Sequence, residues 1–230
     1  LAKRIMTETA SHTPAGAGKK EHSIILRIFA QLFSILFHPI FIPTYVVAFL
    51  VSFHPSYFAG FSAGLKLRIL LITILNTAFF PAFSVGIMRG LNFIKSVMLP
   101  TQQDRIGPYL AVMIFYFWAA RVFFKFEPTL DPIMPSFMTG VFLTSIAALL
   151  LNIFFKISMH AMGCGGMIGI LLVIMNSNSM LMTWPLAAAL LITGLVCSSR
   201  LIVSDHAGKE IYTGLFAGVV CQLIAAFAVL

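Results

Sequence analysis

The chain has 230 residues, 60% of them hydrophobic and 10% charged, with a mean hydropathy of +0.99 and a formal net charge of +8. Soluble domains carry about 25% charged residues, so this chain lacks the polar surface to cover a water-facing exterior. Its charges sit between long continuous apolar runs, which argues against a β-barrel of short alternating strands and for helices that satisfy their own backbone in hydrocarbon.

Residues 1–22 are polar, show no cleavable signal-peptide pattern, and are expected to form a flexible tail. The apolar stretch from Ser23 to Phe53 is interrupted by HPIFIP at 38–43, where Pro39 and Pro43 forbid one undisturbed helix. The reading is an interfacial helix before His38 and a span after it. A polar turn at 54–66 leads to a second span, about Leu67–Met88, kinked at Pro81. After the polar connection 89–105, a third span covers about Ile106–Phe124 and a fourth about Phe137–Phe155, with a proline-rich turn between them. KISMHAMG at 156–163 then brings back ionisable residues. A fifth span covers about Ala161–Met175, the turn NSNS follows at 176–179, and a sixth covers about Leu181–Ser198. A third polar island at 198–210 precedes the final apolar run, Ile211–Leu230. Two small-xxx-small pairs, Gly165/Gly169 and Gly214/Gly218, suit close helix packing. Cys164, Cys197 and Cys221 all lie in apolar runs and read as packing residues. The expected fold is therefore all-α: a polytopic transmembrane bundle of six or seven spans, forming one domain over 23–230, with an active site at one membrane face.

Parity carries the functional reading. Two spans separate the first island from the second, and two separate the second from the third. An even number of crossings returns the chain to the same face, so Arg105, Ser158, His160, Arg200, His206 and Glu210 can meet at one membrane surface. Ionisable groups are costly at span ends and mark function there. Two histidines and a carboxylate could ligate zinc, but two neighbouring arginines would repel the metal. A planar guanidinium fork suits phosphate instead, and histidine suits nucleophilic attack and proton transfer near neutral pH. On a helix, Glu210 shares a face with His206 and can hold one ring nitrogen while the other stays free.

SSRLIVSDHAGKE at 198–210 resembles the third signature of the type 2 phosphatidic acid phosphatases: Ser199, Arg200, then His206 and an acid, Glu210. ISMHAMG at 157–163 resembles the second signature through Ser158 and His160, with Ile157 and Met159 in place of its proline and glycine. QQDRIGPY at 102–109 resembles a degenerate first signature through Arg105, with Met98 and Ile106 at its lysine and proline positions. The resemblance implies an integral membrane lipid phosphate phosphatase with no cofactor. In it, His206 attacks phosphorus, Glu210 orients His206, and His160 protonates the leaving oxygen and then activates water. Arg105, Arg200 and Ser158 bind the phosphoryl oxygens, and Lys95, Gln102 or Gln103 stands in for the missing lysine. The implied partners are a membrane lipid phosphate (polyprenyl diphosphate, phosphatidic acid or phosphatidylglycerol phosphate) and the bilayer itself. Nucleic acid is not expected, since no basic stripe with interleaved aromatics lies outside the spans.

Other readings of the same residues are a phosphate-lipid-binding relative without turnover and a small multi-spanning transporter. Ser158 also suits a helix N-cap, Asp205 suits capping, and His38 and His54, each before a proline, suit turns. By parity, eleven of the 15 Lys and Arg residues fall on the island face and Lys66, Arg68, Arg121 and Lys125 on the other. The positive-inside rule then leans the site towards the cytoplasm, in a multi-pass protein of the bacterial inner-membrane kind.

Overall fold

The computed structural model describes residues 23–54, 56–99, 101–177, 182–203 and 206–230, and those residues are helical apart from short connections. The tail expected at 1–22 and the cap assigned to Asp205 lie outside the described residues. Two short apolar helices come first, α1 (Ile24–Leu36) and α2 (Ile42–Ser52). Six follow that are long and apolar enough to cross a membrane: α3 (Ala63–Gly90), α4 (Gln102–Phe124), α5 (Ile133–Phe154), α6 (Met159–Ser177), α7 (Thr183–Val203) and α8 (Gly208–Val229). The chain is an all-helical, multi-pass membrane protein. The segment after His38, expected as a span, is only 11 residues long, about 16 Å at 1.5 Å per residue, which is too short to cross hydrocarbon alone.

Each boundary has a local cause. The hydroxyl of Ser23 accepts from the Leu26 N–H at 3.3 Å and starts α1, and Ser62 does the same for α3 through Leu65 at 3.3 Å. Thr101 caps α4 by accepting from the Asp104 N–H at 3.1 Å. Pro81 does not end α3. The helix widens into a π turn at Leu75–Phe79 just before it, as helices do to accommodate an irregular ladder. Proline cannot donate to the carbonyl four residues back, that of Thr77. The Tyr116 hydroxyl of α4 donates to that carbonyl instead, at 3.4 Å.

The bundle is closest where side chains are smallest. A Cβ added at Gly218 of α8 would lie 2.1 Å from the Met162 carbonyl oxygen of α6, and one at Gly165 would lie 2.1 Å from that of Leu215. Backbone meets backbone along this seam, as the two small-residue pairs predict. The consequence is positional. The start of α6 is drawn against the start of α8, so that the Ser158 N–H donates to the Glu210 carbonyl at 3.4 Å. At the same end, the Gln102 side chain donates to the Asn152 carbonyl at 2.6 Å, and the Asn152 side chain donates back to the Gln102 carbonyl at 2.9 Å. This reciprocal pair ties the start of α4 to the end of α5.

Candidate active site at one end of the bundle

The three polar islands meet as parity requires. His206 lies in the connection between α7 and α8, and its Nδ1 is 2.7 Å from Glu210 Oε2. The same carboxylate oxygen accepts from the Ala207 N–H at 3.2 Å, one half of a capping box; Ala207 has no side-chain acceptor to supply the other half. Glu210 thus sits in the first turn of α8, where the helix dipole favours a negative charge. A carboxylate only accepts, so His206 Nδ1 carries the proton and Nε2 keeps its lone pair.

Arg105, buried at the start of α4, donates through Nε to the Leu99 carbonyl and through Nη1 to that of Ile157, both at 3.1 Å. Leu99 adopts a left-handed backbone with φ 48°, a costly conformation for a residue with a Cβ of the sort that gathers at functional sites. These two bonds orient the guanidinium and leave other donors of the fork for a ligand. The Tyr109 hydroxyl, one turn along, lies beside it outside hydrogen-bond geometry. Arg200, on the last turn of α7, lies near enough to His38, His160 and His206 for its charge to act on all three, and Arg105 acts on it in turn. Two arginines within electrostatic reach of each other and of the histidines form a cluster whose positive charge suits an anion.

Ser158 is fully buried, and its hydroxyl has no hydrogen-bond partner among the described residues, so it does not act as a side-chain cap. The Ser199 hydroxyl donates to the Leu195 carbonyl at 2.7 Å within α7. Of the three stand-ins for the missing lysine, Gln102 is occupied by Asn152, while Lys95 and Gln103 are exposed.

His160, one residue into α6, places Nε2 2.9 Å from the Ser34 carbonyl oxygen of α1. A carbonyl demands a donor, so Nε2 bears a hydrogen and Nδ1 is the position for proton exchange. His38 completes the group. Its ring stands edge-on to that of His160, with centroids 5.1 Å apart. The turn role expected for His38 is present too: its Nδ1 accepts from the Ile40 N–H at 3.5 Å. Sequence reasoning placed His38 in a turn and missed its neighbour. A histidine at the mouth of a proline-broken apolar run was the available signal, and His54 carries the same one without the same outcome.

The electrostatics follow from burial first. Burial pushes the His206 imidazole below the usual histidine range, and the charges of Arg200 and Arg105 push the same way, against the pull of Glu210. His38 is pushed down to about 4 by burial and then by Arg200. Both rings are therefore neutral at physiological pH, the state in which an imidazole nitrogen can attack or accept a proton. Among the described residues no group of three or more His, Cys, Asp or Glu converges as metal ligands would.

Fold and site together define a class, a multi-pass helical membrane protein with a buried histidine–arginine cluster at one end. In comparisons with known proteins, no family model, curated protein or solved structure matches this chain. The functional reading rests on the geometry above and on the spacing of the three islands.

Proposed function

We propose that this protein is a lipid phosphate phosphatase of the type 2 phosphatidic acid phosphatase kind, working through a phosphohistidine. The observation that supports it best is the His206–Glu210 pair at 2.7 Å, with one ring nitrogen free, beside two arginines and a second histidine. In the first step His206 Nε2 forms a bond to phosphorus as the P–O bond to the lipid breaks. The leaving oxygen takes its proton from Nδ1 of His160 in its imidazolium form, while the Nε2–H stays on the Ser34 carbonyl, and Glu210 holds the developing positive charge on His206. In the second step His160 accepts a proton from water, whose oxygen displaces His206 and releases inorganic phosphate. Arg105, Arg200 and the Ser158 hydroxyl stabilise the equatorial oxygens, where charge spreads in the transition state. Every group in this scheme belongs to the chain, and no cofactor takes part.

The test is phosphate release from a panel of lipid mono- and diphosphates in EDTA, with His206→Ala beside the wild type. Release that the mutant abolishes is the expected result. Release that the mutant retains would sink the phosphohistidine, and strict dependence on a divalent ion would sink the metal-free scheme. The excess of Lys and Arg that crossing parity assigns to the island side of the sequence supports, by the positive-inside rule, a site on the cytoplasmic face of an inner membrane. Cysteines at Lys95 and Lys125, probed with an impermeant thiol reagent in intact cells, check it: labelling at 95 and not at 125 would reverse the orientation.

A further inference from the structure

Side chains on a helix lean towards its N-terminus, so a long one reaches back over the preceding turn. On α4 this sets Tyr109 beside Arg105, four positions before it. Tyr109 is 4% exposed and packs with Ala148 of α5 and with Ile157 and Met162 around the start of α6. Its hydroxyl is shut off from solvent and has no hydrogen-bond partner among the described residues. The hydroxyl of Ser158, a fully buried residue, is in the same condition. Arg105 links the two. It lies beside Tyr109, and its Nη1 donates at 3.1 Å to the carbonyl of Ile157, the residue before Ser158. Tyr116, two turns further along α4 and also buried, shows the ordinary outcome: its hydroxyl donates to the Thr77 carbonyl at 3.4 Å.

Buried polar groups in native proteins are hydrogen-bonded, and each exception calls for a cause. Two orphaned hydroxyls next to one guanidinium share a cause if all three serve one ligand. A hydroxyl offers a single donor, and a bond to a charged acceptor is the strong kind. We propose that Tyr109 is a phosphate-binding residue, donating with Arg105 and Ser158 to a phosphoryl oxygen in place of the lysine missing from the first signature. This rests on the phosphatase reading above. The sequence offered Lys95, Gln102 or Gln103 for that role. A phenol suits the position because it donates without adding a third buried cation beside Arg105 and Arg200. The oxyanion reaches the hydroxyls by displacing a protein acceptor from Arg105. The Leu99 carbonyl on Nε is the acceptor carried by a loop, in a left-handed backbone that a rotation relieves.

The experiment compares Tyr109→Phe with the wild type in detergent, with Tyr116→Phe as the control. Thermal melting is measured without anion and with orthovanadate or inorganic phosphate, and phosphate release is measured on the lipid panel. Tyr109→Phe removes a hydroxyl that bonds nothing in the protein, so without anion it should melt at or above the wild type. Its kcat/KM should fall about 10- to 100-fold, and the Tm rise with orthovanadate should shrink or vanish. Tyr116→Phe should do the reverse, melting lower while keeping the wild-type response to the anion. Wild-type turnover with a wild-type Tm rise in Tyr109→Phe would overturn the proposal, and so would a lower Tm without anion, which would reveal a structural bond. Ser158→Ala, expected to behave as Tyr109→Phe does, replaces it if that variant does not fold. If no lipid is turned over, the phosphatase reading fails and melting alone decides. A wild-type Tm rise with the anion that Tyr109→Phe loses supports the phosphate site, and no rise in the wild type overturns it.

Discussion

The two ends of α2 carry the same local chemistry and reach different outcomes. His38 precedes it and His54 follows it; each stands before a proline in the sequence, and each accepts through Nδ1 from the N–H two residues on, at 3.5 and 3.4 Å. Burial lowers the pKa of both. The difference lies in what the bundle brings across. His54 stacks on Tyr57, centroids 4.5 Å apart, with Phe49 at its edge. His38 meets His160 and the charge of Arg200. The same contrast holds for arginine: Arg68, at the start of α3, lies over the Phe126 ring at 5.0 Å, an ordinary cation–π contact, while Arg105 and Arg200 face histidines. A histidine turn is thus a structural device at one end of the molecule and part of a charge cluster at the other.

Substitutions that treat the two ends alike should separate them. The largest effect is expected at the nucleophile: His206→Ala should lower phosphate release by ~10³-fold or more. Next, Arg200→Ala or Arg105→Ala should each cost ~10²–10³ in kcat, while Arg68→Ala stays near wild type; equal losses at all three would mean that the arginines serve only the fold. Glu210→Gln keeps an acceptor for Ala207 but removes the charge on His206, and should cost on the order of 10²-fold. Its pH profile is the sharper readout. Neutral His206 is the active form, so kcat/KM rises with pH through a pKa already held below the ordinary 6.5. Glu210 raises that pKa, so its loss should move the acid limb to still lower pH; a limb that moves upward would contradict the assignment. His38→Gln should lower kcat/KM about tenfold through misplacement of His160, whereas His54→Gln should leave it unchanged.

The smallest effect is on stability. Gly218→Ala sets a Cβ against the Met162 carbonyl and should destabilise by about 1–3 kcal/mol, while Gly166→Ala enters open space. Chemical or thermal unfolding in detergent compares the two directly.

How much of this was legible beforehand differs between fold and site. The six long apolar helices follow from hydropathy, because hydrocarbon demands unbroken apolar runs. The expected ends were off by a few residues: α4 begins at Gln102 rather than Ile106, and α8 at Gly208 rather than Ile211. Polar residues such as Thr101 and Glu210 extend helices past the hydrophobic run by capping them. The gathering of Arg105, His160, Arg200 and His206 at one end needed only crossing parity. The pairing of His206 with Glu210 needed only the four-residue helical repeat. The shortness of α2 follows from its bounds in the sequence, the proline break at 38–43 and the polar turn that begins at His54, although the apolar run between them was read as a span.

What the sequence by itself determined, then, is what depends on neighbours along the chain: spans, their order, the face on which the islands emerge, and the i,i+4 pair. Only the tertiary structure decided what depends on neighbours across it. His160 is held by a carbonyl 126 positions away, His38 rather than His54 stands beside it, and α2, α4, α5 and α6 leave an apolar cavity between them. The physical reason is that hydropathy and periodicity record how a segment meets lipid, whereas a site is made where side chains from distant segments meet one another.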